Sequence, residues 1–223
     1  MCVNYAPIIS SSTLHEFFDV TADGRLLREF KASVWPGYAG PFIRQSEVAG
    51  VGDEAVPVRE LLTGAFGLVP QWAKDETFGR RTYNARAETA HEKPSFRESW
   101  RLARHCIIPA EAFYEPDWRT GKAIATRISR ADGKPMGLAG LWAPRRLPGG
   151  ALTHSFTMLT INADQHPFMN QFHRPDDEKR MVVILPERDY DDWLQAPASA
   201  TGDFLLPFPA EKLQSTVPQQ RLL

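Results

Sequence analysis

Residues 122–142, KAIATRISRADGKPMGLAGLW, decide the fold. Two runs rich in apolar and β-branched residues, Ala123 to Ser129 and Met136 to Trp142, flank Ala131-Asp132-Gly133-Lys134, where Gly133 can take a positive φ. The pattern predicts a β-hairpin. Downstream, Phe156 to Ile161 and Met181 to Leu185 read as two more strands, and Pro186 opens a helix expected to run through Gln195. Upstream, Pro36, Gly37, Gly40, Pro41, Pro57, Gly64, Gly67 and Pro70 favour short strands and shaped loops. Two helices are expected outside that stretch: Ser11 to Val20, with Thr13 and Glu16 at capping-box spacing, and Ser95 to Arg104, with Ser95 and Glu98. There are no repeats, low-complexity tracts or βαβ alternation. The reading is therefore an α+β fold: one domain over residues 1–223, mainly an antiparallel, barrel-like β-sheet flanked by short helices.

The 223 residues are 43% hydrophobic and 11% aromatic, enough to bury one sizeable core. The 26 basic and 27 acidic side chains leave a net charge of -1, so no overall field draws the chain to nucleic acid or membrane. Any nucleic-acid contact must be local. Residues 71–105 carry eight Lys/Arg against five Asp/Glu, a stretch that suits phosphates or an ordinary solvated face. Cys2 and Cys106 form no disulfide framework or zinc pattern, and no metal or other cofactor is expected. With neither a signal peptide nor a membrane-length apolar run, a cytoplasmic location is expected.

Position singles out Cys2. Aminopeptidases remove Met before small residues, which would leave Cys2 with a free α-amine beside its thiol. Such an aminothiol attacks an aldehyde to give a Schiff base, and the thiol then closes a thiazolidine ring. An α-amine titrates at about 7.7–8.0, so an appreciable fraction is neutral at pH 7, unlike a lysine. The other reading of Cys2 is a small residue at a frayed end.

Four further places can carry chemistry. Asn84, Arg86 and Glu88 alternate along residues 83–90, on one face if that piece is extended, and suit a phosphate or sugar. Glu115 follows Phe113-Tyr114, where burial would raise its pKa towards acid-base use. His173, with Arg174 beside it, sits on a loop and can shuttle protons. Trp72, close in sequence to Lys74, Arg80 and Arg81, suits stacking of unpaired bases. Each has a plain structural alternative: a strand edge, a solvated acid, a surface His, a core Trp.

In order along the chain, Met1-Cys2, Gly67-Leu-Val-Pro-Gln-Trp72, Asn84-Ala-Arg-Ala-Glu-Thr89, Phe113-Tyr-Glu115 and a His before Val182-Val-Ile-Leu185 resemble the SOS response-associated peptidase family over nearly the whole chain. The resemblance implies a sensor and shield for abasic sites in single-stranded DNA, cross-linked through Cys2 as a thiazolidine, with lyase-like chemistry. Asn84 would orient the amine or sugar, Glu115 assist ring opening, and His173 act as acid-base partner. Arg86, Trp72, Asn4, Thr160 and Arg174 would meet DNA. The expected partner is single-stranded DNA containing abasic sites; neither membrane nor metal is expected, and the protein would act as a monomer, nucleoid-associated when bound. The family's usual Cys-Gly-Arg start is here Cys2-Val3-Asn4, its Tyr-Asn-x-Ala-Pro element is replaced by Trp35-Pro-Gly-Tyr-Ala-Gly-Pro41, and Asp176, Asp177 and Glu178 are inserted after His173-Arg174-Pro175. Two alternatives stay open: an N-terminal-nucleophile peptidase or amidohydrolase using Cys2, and a non-covalent single-strand binder using Trp72 and Arg86.

Overall fold

The computed structural model describes residues 3–47 and 58–217. The strands are β1 (Asn4–Pro7), β2 (Ala39–Gln45), β3 (Arg59–Phe66), β4 (Asn84–Arg86), β5 (His105–Asp117), β6 (Ile124–Arg130), β7 (Met136–Arg146), β8 (Leu152–Asn162), β9 (Arg180–Val182), β10 (Ile184–Leu185) and β11 (Leu213–Thr216). Among the described residues, four short α-helices lie around them: α1 (Ser11–Phe18), α2 (Gly24–Leu27), α3 (Arg97–Arg101) and α4 (Tyr190–Gln195). This is an α+β fold with a closed barrel, since β7, β8, β3, β2 and β5 pair in turn and β5 pairs again with β7. Pairing is mostly antiparallel, but β3 and β4 both run parallel to β8.

The barrel closes because apolar side chains from successive strands meet inside it. Phe42 of β2, Phe66 of β3 and Phe156 of β8 are all fully buried, their ring centroids 5.5 Å (Phe42–Phe156) and 5.7 Å (Phe66–Phe156) apart. Each such ring contributes about 1.5–3 kcal/mol by leaving water.

The runs 123–129 and 136–142 are strands, as expected, but they do not form a hairpin. Both β6 and β7 lie antiparallel to β5, β6 beside Phe113–Asp117 and β7 beside His105–Ala110. At 13 residues, β5 offers one edge long enough for both in line, and Asp132-Gly133 makes the jog between them. The helix near residue 11 is capped by Ser10, whose hydroxyl accepts from the Thr13 amide, and it stops at Asp19 in a left-handed conformation. Thr13 is thus inside the helix and not its cap. The second helix is shorter than expected: α3 begins at Arg97 without a side-chain cap, so Ser95 does not perform the capping role.

Candidate functional site

Strand alternation puts Phe113, Glu115 and Asp117 on one buried face of β5. Phe113 belongs to the core, so the next inward residue, Glu115, is carried into an apolar setting and is 1% exposed. That burial pushes its carboxyl up to about 8. Its Oε2 lies 3.5 Å from His173 Nδ1, a contact longer than a tight hydrogen bond.

His173 is held from three directions. Its backbone is left-handed at φ 66°, a conformation that costs a non-glycine residue about 1–2 kcal/mol. Its N–H donates to Pro116 O at 2.9 Å, and its Nε2 lies 3.1 Å from Arg180 O. A carbonyl only accepts, so Nε2 carries the proton and Nδ1 presents a lone pair to Glu115. Burial, with smaller contributions from neighbouring charge, lowers His173 to about 4. At neutral pH the two groups therefore face each other as a protonated acid and a neutral base. The pair is not an ion pair.

Around them lies an ion network on the far end of β8. Thr160 of β8 is in register with Arg86 of β4 on one side and Val182 of β9 on the other. The buried Arg180 guanidinium donates to both carboxylate oxygens of Glu88 at 2.8 and 2.9 Å, to Glu178 at 2.8 Å and to Thr160 O at 2.6 Å. Glu178 also holds Arg86 at 2.7 Å. Burial opposes the charge on Glu178, but hydrogen bonds from Arg180 and Asn162 together with the charges of Arg180 and Arg86 outweigh it and keep the carboxyl below its ordinary range.

Glu115 and His173 are thus brought together, and Arg86 and Thr160 stand close by through Arg180. Asn84 is half-buried on β4, two residues before Arg86 and on its face. Glu88 does not continue that face: the strand ends at Arg86, a turn follows, and Glu88 swings to Arg180 and the Asn162 amide. Thr160 is 1% exposed and its hydroxyl bonds Ala85 O, so a direct DNA contact is closed to it in this conformation. Its carbonyl instead positions Arg180. Asn4 begins β1 opposite Tyr114 and donates to Ser33 Oγ at 2.8 Å. The Arg174 guanidinium stacks 4.8 Å from the Trp118 ring.

Trp72 stands apart. It is 57% exposed, edge-on to Phe78, on a loop anchored where the Val69 amide donates to Ser155 Oγ. That anchor lies about 16 Å along β8 from Thr160. Gly67 fixes the loop's entry: at φ 120°, a Cβ there would fall 2.0 Å from Gly79 O. Cys2, the residue on which the chemical reading turns, lies outside the described residues. Arg180, the hub of the network, was not singled out by sequence, because an Arg before an apolar run carries no distinguishing pattern.

A family model described as SOS response associated peptidase (SRAP) matches residues 1–220. The chain belongs to the SRAP family. A crystal structure of a protein from Bordetella bronchiseptica shares 44% identity, covers 98% of this chain and 100% of its own, and superposes with a TM-score of 0.85. Two curated relatives are Abasic site processing protein YoqW of Bacillus subtilis, 36% identical over 63% of this chain and 59% of that protein, and Abasic site processing protein HMCES of Mus musculus, 25% identical over 66% and 48%. The chain therefore spans only about half to three-fifths of those two relatives' lengths. Among the described residues there is no cluster of metal-ligand type and no helix long and apolar enough to cross a membrane.

Proposed function

We propose that this SRAP member is an abasic-site sensor and shield: it binds single-stranded DNA and, after loss of Met1, captures the lesion's aldehyde through Cys2. The observation that carries the reading is the buried Glu115–His173 pair, a carboxyl and an imidazole facing each other at 3.5 Å. Family relatives named for abasic site processing support the substrate. Chain connectivity supports the nucleophile, because β1 starts two residues after Cys2 and is paired with Tyr114, the neighbour of Glu115. Localisation is cytoplasmic, nucleoid-associated on DNA, and the active unit is a monomer.

The chemistry balances with these residues alone. Glu115 protonates the ring oxygen of the closed deoxyribose while His173 Nδ1 takes the anomeric hydroxyl proton, opening the sugar to its aldehyde. The neutral α-amine of Cys2 adds to the carbonyl carbon. Returning a proton from His173 expels water and leaves a protonated Schiff base. The Cys2 sulfur then adds to the iminium carbon as its thiol proton passes to the Glu115 carboxylate, restoring the acid. The net change is aldehyde plus aminothiol to thiazolidine plus one water. Asn84 orients the amine or sugar, Arg86 and Arg174 meet phosphates, and Trp72 stacks on a base farther along the strand.

A pH–rate profile of cross-linking to an abasic oligonucleotide tests this. The rate rises as the α-amine deprotonates at about 7.7–8.0 and falls as Glu115 ionises at about 8, so a narrow optimum near that value is expected. His173→Gln lowers the whole profile by about 10²-fold, within the range of general acid-base catalysis, without unfolding the chain. A pH-independent rate, or unchanged rates in both directions for His173→Gln, removes the pair from the mechanism.

Glu178 sets a second expectation. Its carboxylate occupies Arg86, and a half-exposed ion pair of this kind is worth about 0–1 kcal/mol, little enough for a phosphate to displace. Glu178→Gln frees Arg86 while Arg180 keeps its paired bonds to Glu88. Affinity for single-stranded DNA should rise several-fold, and the salt slope should steepen by about 0.7 for one added phosphate contact. Anisotropy titrations at several salt concentrations check both; unchanged affinity and slope would mean that Arg86 does not meet phosphate.

A further inference from the structure

Two large aromatic side chains remain uncovered beside the strand that carries the N-terminus. Trp35-Pro36-Gly37-Tyr38 is a β-turn: the Tyr38 amide donates to Trp35 O at 2.8 Å, proline fills the second position, and Gly37 takes φ 87° at the third. The turn is tied to the barrel, since the Gly37 amide donates to Phe66 O at 2.6 Å and the Phe66 amide to Tyr38 O at 2.9 Å. Trp35 is 45% and Tyr38 41% exposed, although a tryptophan and a tyrosine gain more from burial than almost any other side chain.

Charge surrounds them. Lys31 Nζ sits 4.0 Å over the Tyr38 ring, and the Arg80 side chain lies against Gly37, its Nε 3.8 Å from where a Cβ would stand. The same segment is bound to β1: Val34 and Tyr5 exchange backbone hydrogen bonds of 2.8 and 3.2 Å, and Asn4 donates to Ser33. β1 thus lies between this segment on one edge and Tyr114, next to Glu115, on the other.

We propose that Trp35 and Tyr38 form a stacking platform for unpaired bases of a single strand, with Lys31 and Arg80 following its phosphates. Rigid exposed rings interleaved with cations match unpaired bases and a polyanionic backbone together, whereas a purely apolar protein partner would leave both cations facing it. The inference rests on the proposed function for its location, because the platform would receive the bases flanking a lesion held at Cys2. It separates from that reading through the ligand: stacking needs no abasic site.

The test uses a fluorescein-labelled single-stranded oligothymidylate without an abasic site, its abasic counterpart, and the full chain. Trp35→Ala with Tyr38→Ala should raise the Kd for the intact strand roughly 5- to 100-fold, as expected for the loss of stacking on one base. Trp35→Phe with Tyr38→Phe should retain most of the affinity, and Leu206→Ala, at another exposed apolar side chain, should change nothing. With the abasic strand, the alanine pair should raise the concentration for half-maximal cross-linking and leave the saturated rate unchanged. Wild-type affinity in a folded alanine pair overturns the platform, as does self-association of the wild type that those alanines abolish without affecting DNA. If the wild type forms no cross-link yet the alanine pair still weakens binding of the intact strand, the platform stands and the cross-linking reading falls.

Discussion

Glu115→Gln is expected to make the protein more stable and to suppress cross-linking, both in one substitution. In the folded chain burial pushes Glu115 to about 8, whereas a carboxyl of the unfolded chain has its ordinary value of 4.5. Between those values the unfolded state releases a proton that the folded state keeps. The favourable contribution of this group is therefore complete below the unfolded value and is lost as pH rises through the folded one. Glutamine keeps the shape and cannot ionise, so at pH 7.5 the variant should gain up to about 4 kcal/mol. For a chain of this length that corresponds to roughly 8–15 °C in Tm. Loss of the general acid should slow cross-linking by about 10²–10⁴-fold. Thermal melts and single-turnover gels measure both. A variant that melts lower and cross-links normally would make Glu115 a structural residue.

His173 works in the opposite direction on the pH axis. Its folded value of about 4 lies below the ordinary 6.5, so its contribution is present above 6.5 and lost as pH falls towards 4. The two residues together limit stability on the acid and alkaline sides, each through a charge that its buried site excludes. A site that costs stability at both ends is what chemistry, and not packing, retains.

The second large effect belongs to Cys2. Cys2→Ala keeps an α-amine but has no sulfur to close the ring, so the complex with abasic single-stranded DNA that survives denaturation should disappear. Non-covalent affinity should stay within about twofold, because one small side chain contributes little to a phosphate-dominated interface. Cys2→Ser retains the amine and a weaker nucleophile, so its Schiff base should survive denaturation only after borohydride reduction. A Cys2→Ser adduct as durable as wild type would point to different chemistry. Peptide release by the unmodified protein, lost in Cys2→Ala, would instead favour an N-terminal hydrolase.

The runs 123–129, 136–142 and 156–161 were legible as strands because alternation and β-branching are local properties, though two of the strands run on to 136–146 and 152–162, and Glu115 and His173 stood out as motif positions. Partnership was not. The Asp132-Gly133 turn looks like a hairpin from either side, and only the length of β5 makes it a jog along one edge. The same gap between local and long-range information hid Arg180, whose partners Glu88 and Thr160 are 92 and 20 residues away. It also concealed that Thr160, aligned with Arg86, is buried.

The central claim, capture of an aldehyde by an N-terminal Cys2, is tested most directly by the intact mass of the denatured adduct between wild-type protein and an abasic oligonucleotide. The predicted species is the chain without Met1 plus the oligonucleotide, less one water, with peptide mapping placing the link on Cys2. An adduct that still contains Met1, a link on any other residue, or two unmodified masses would contradict it.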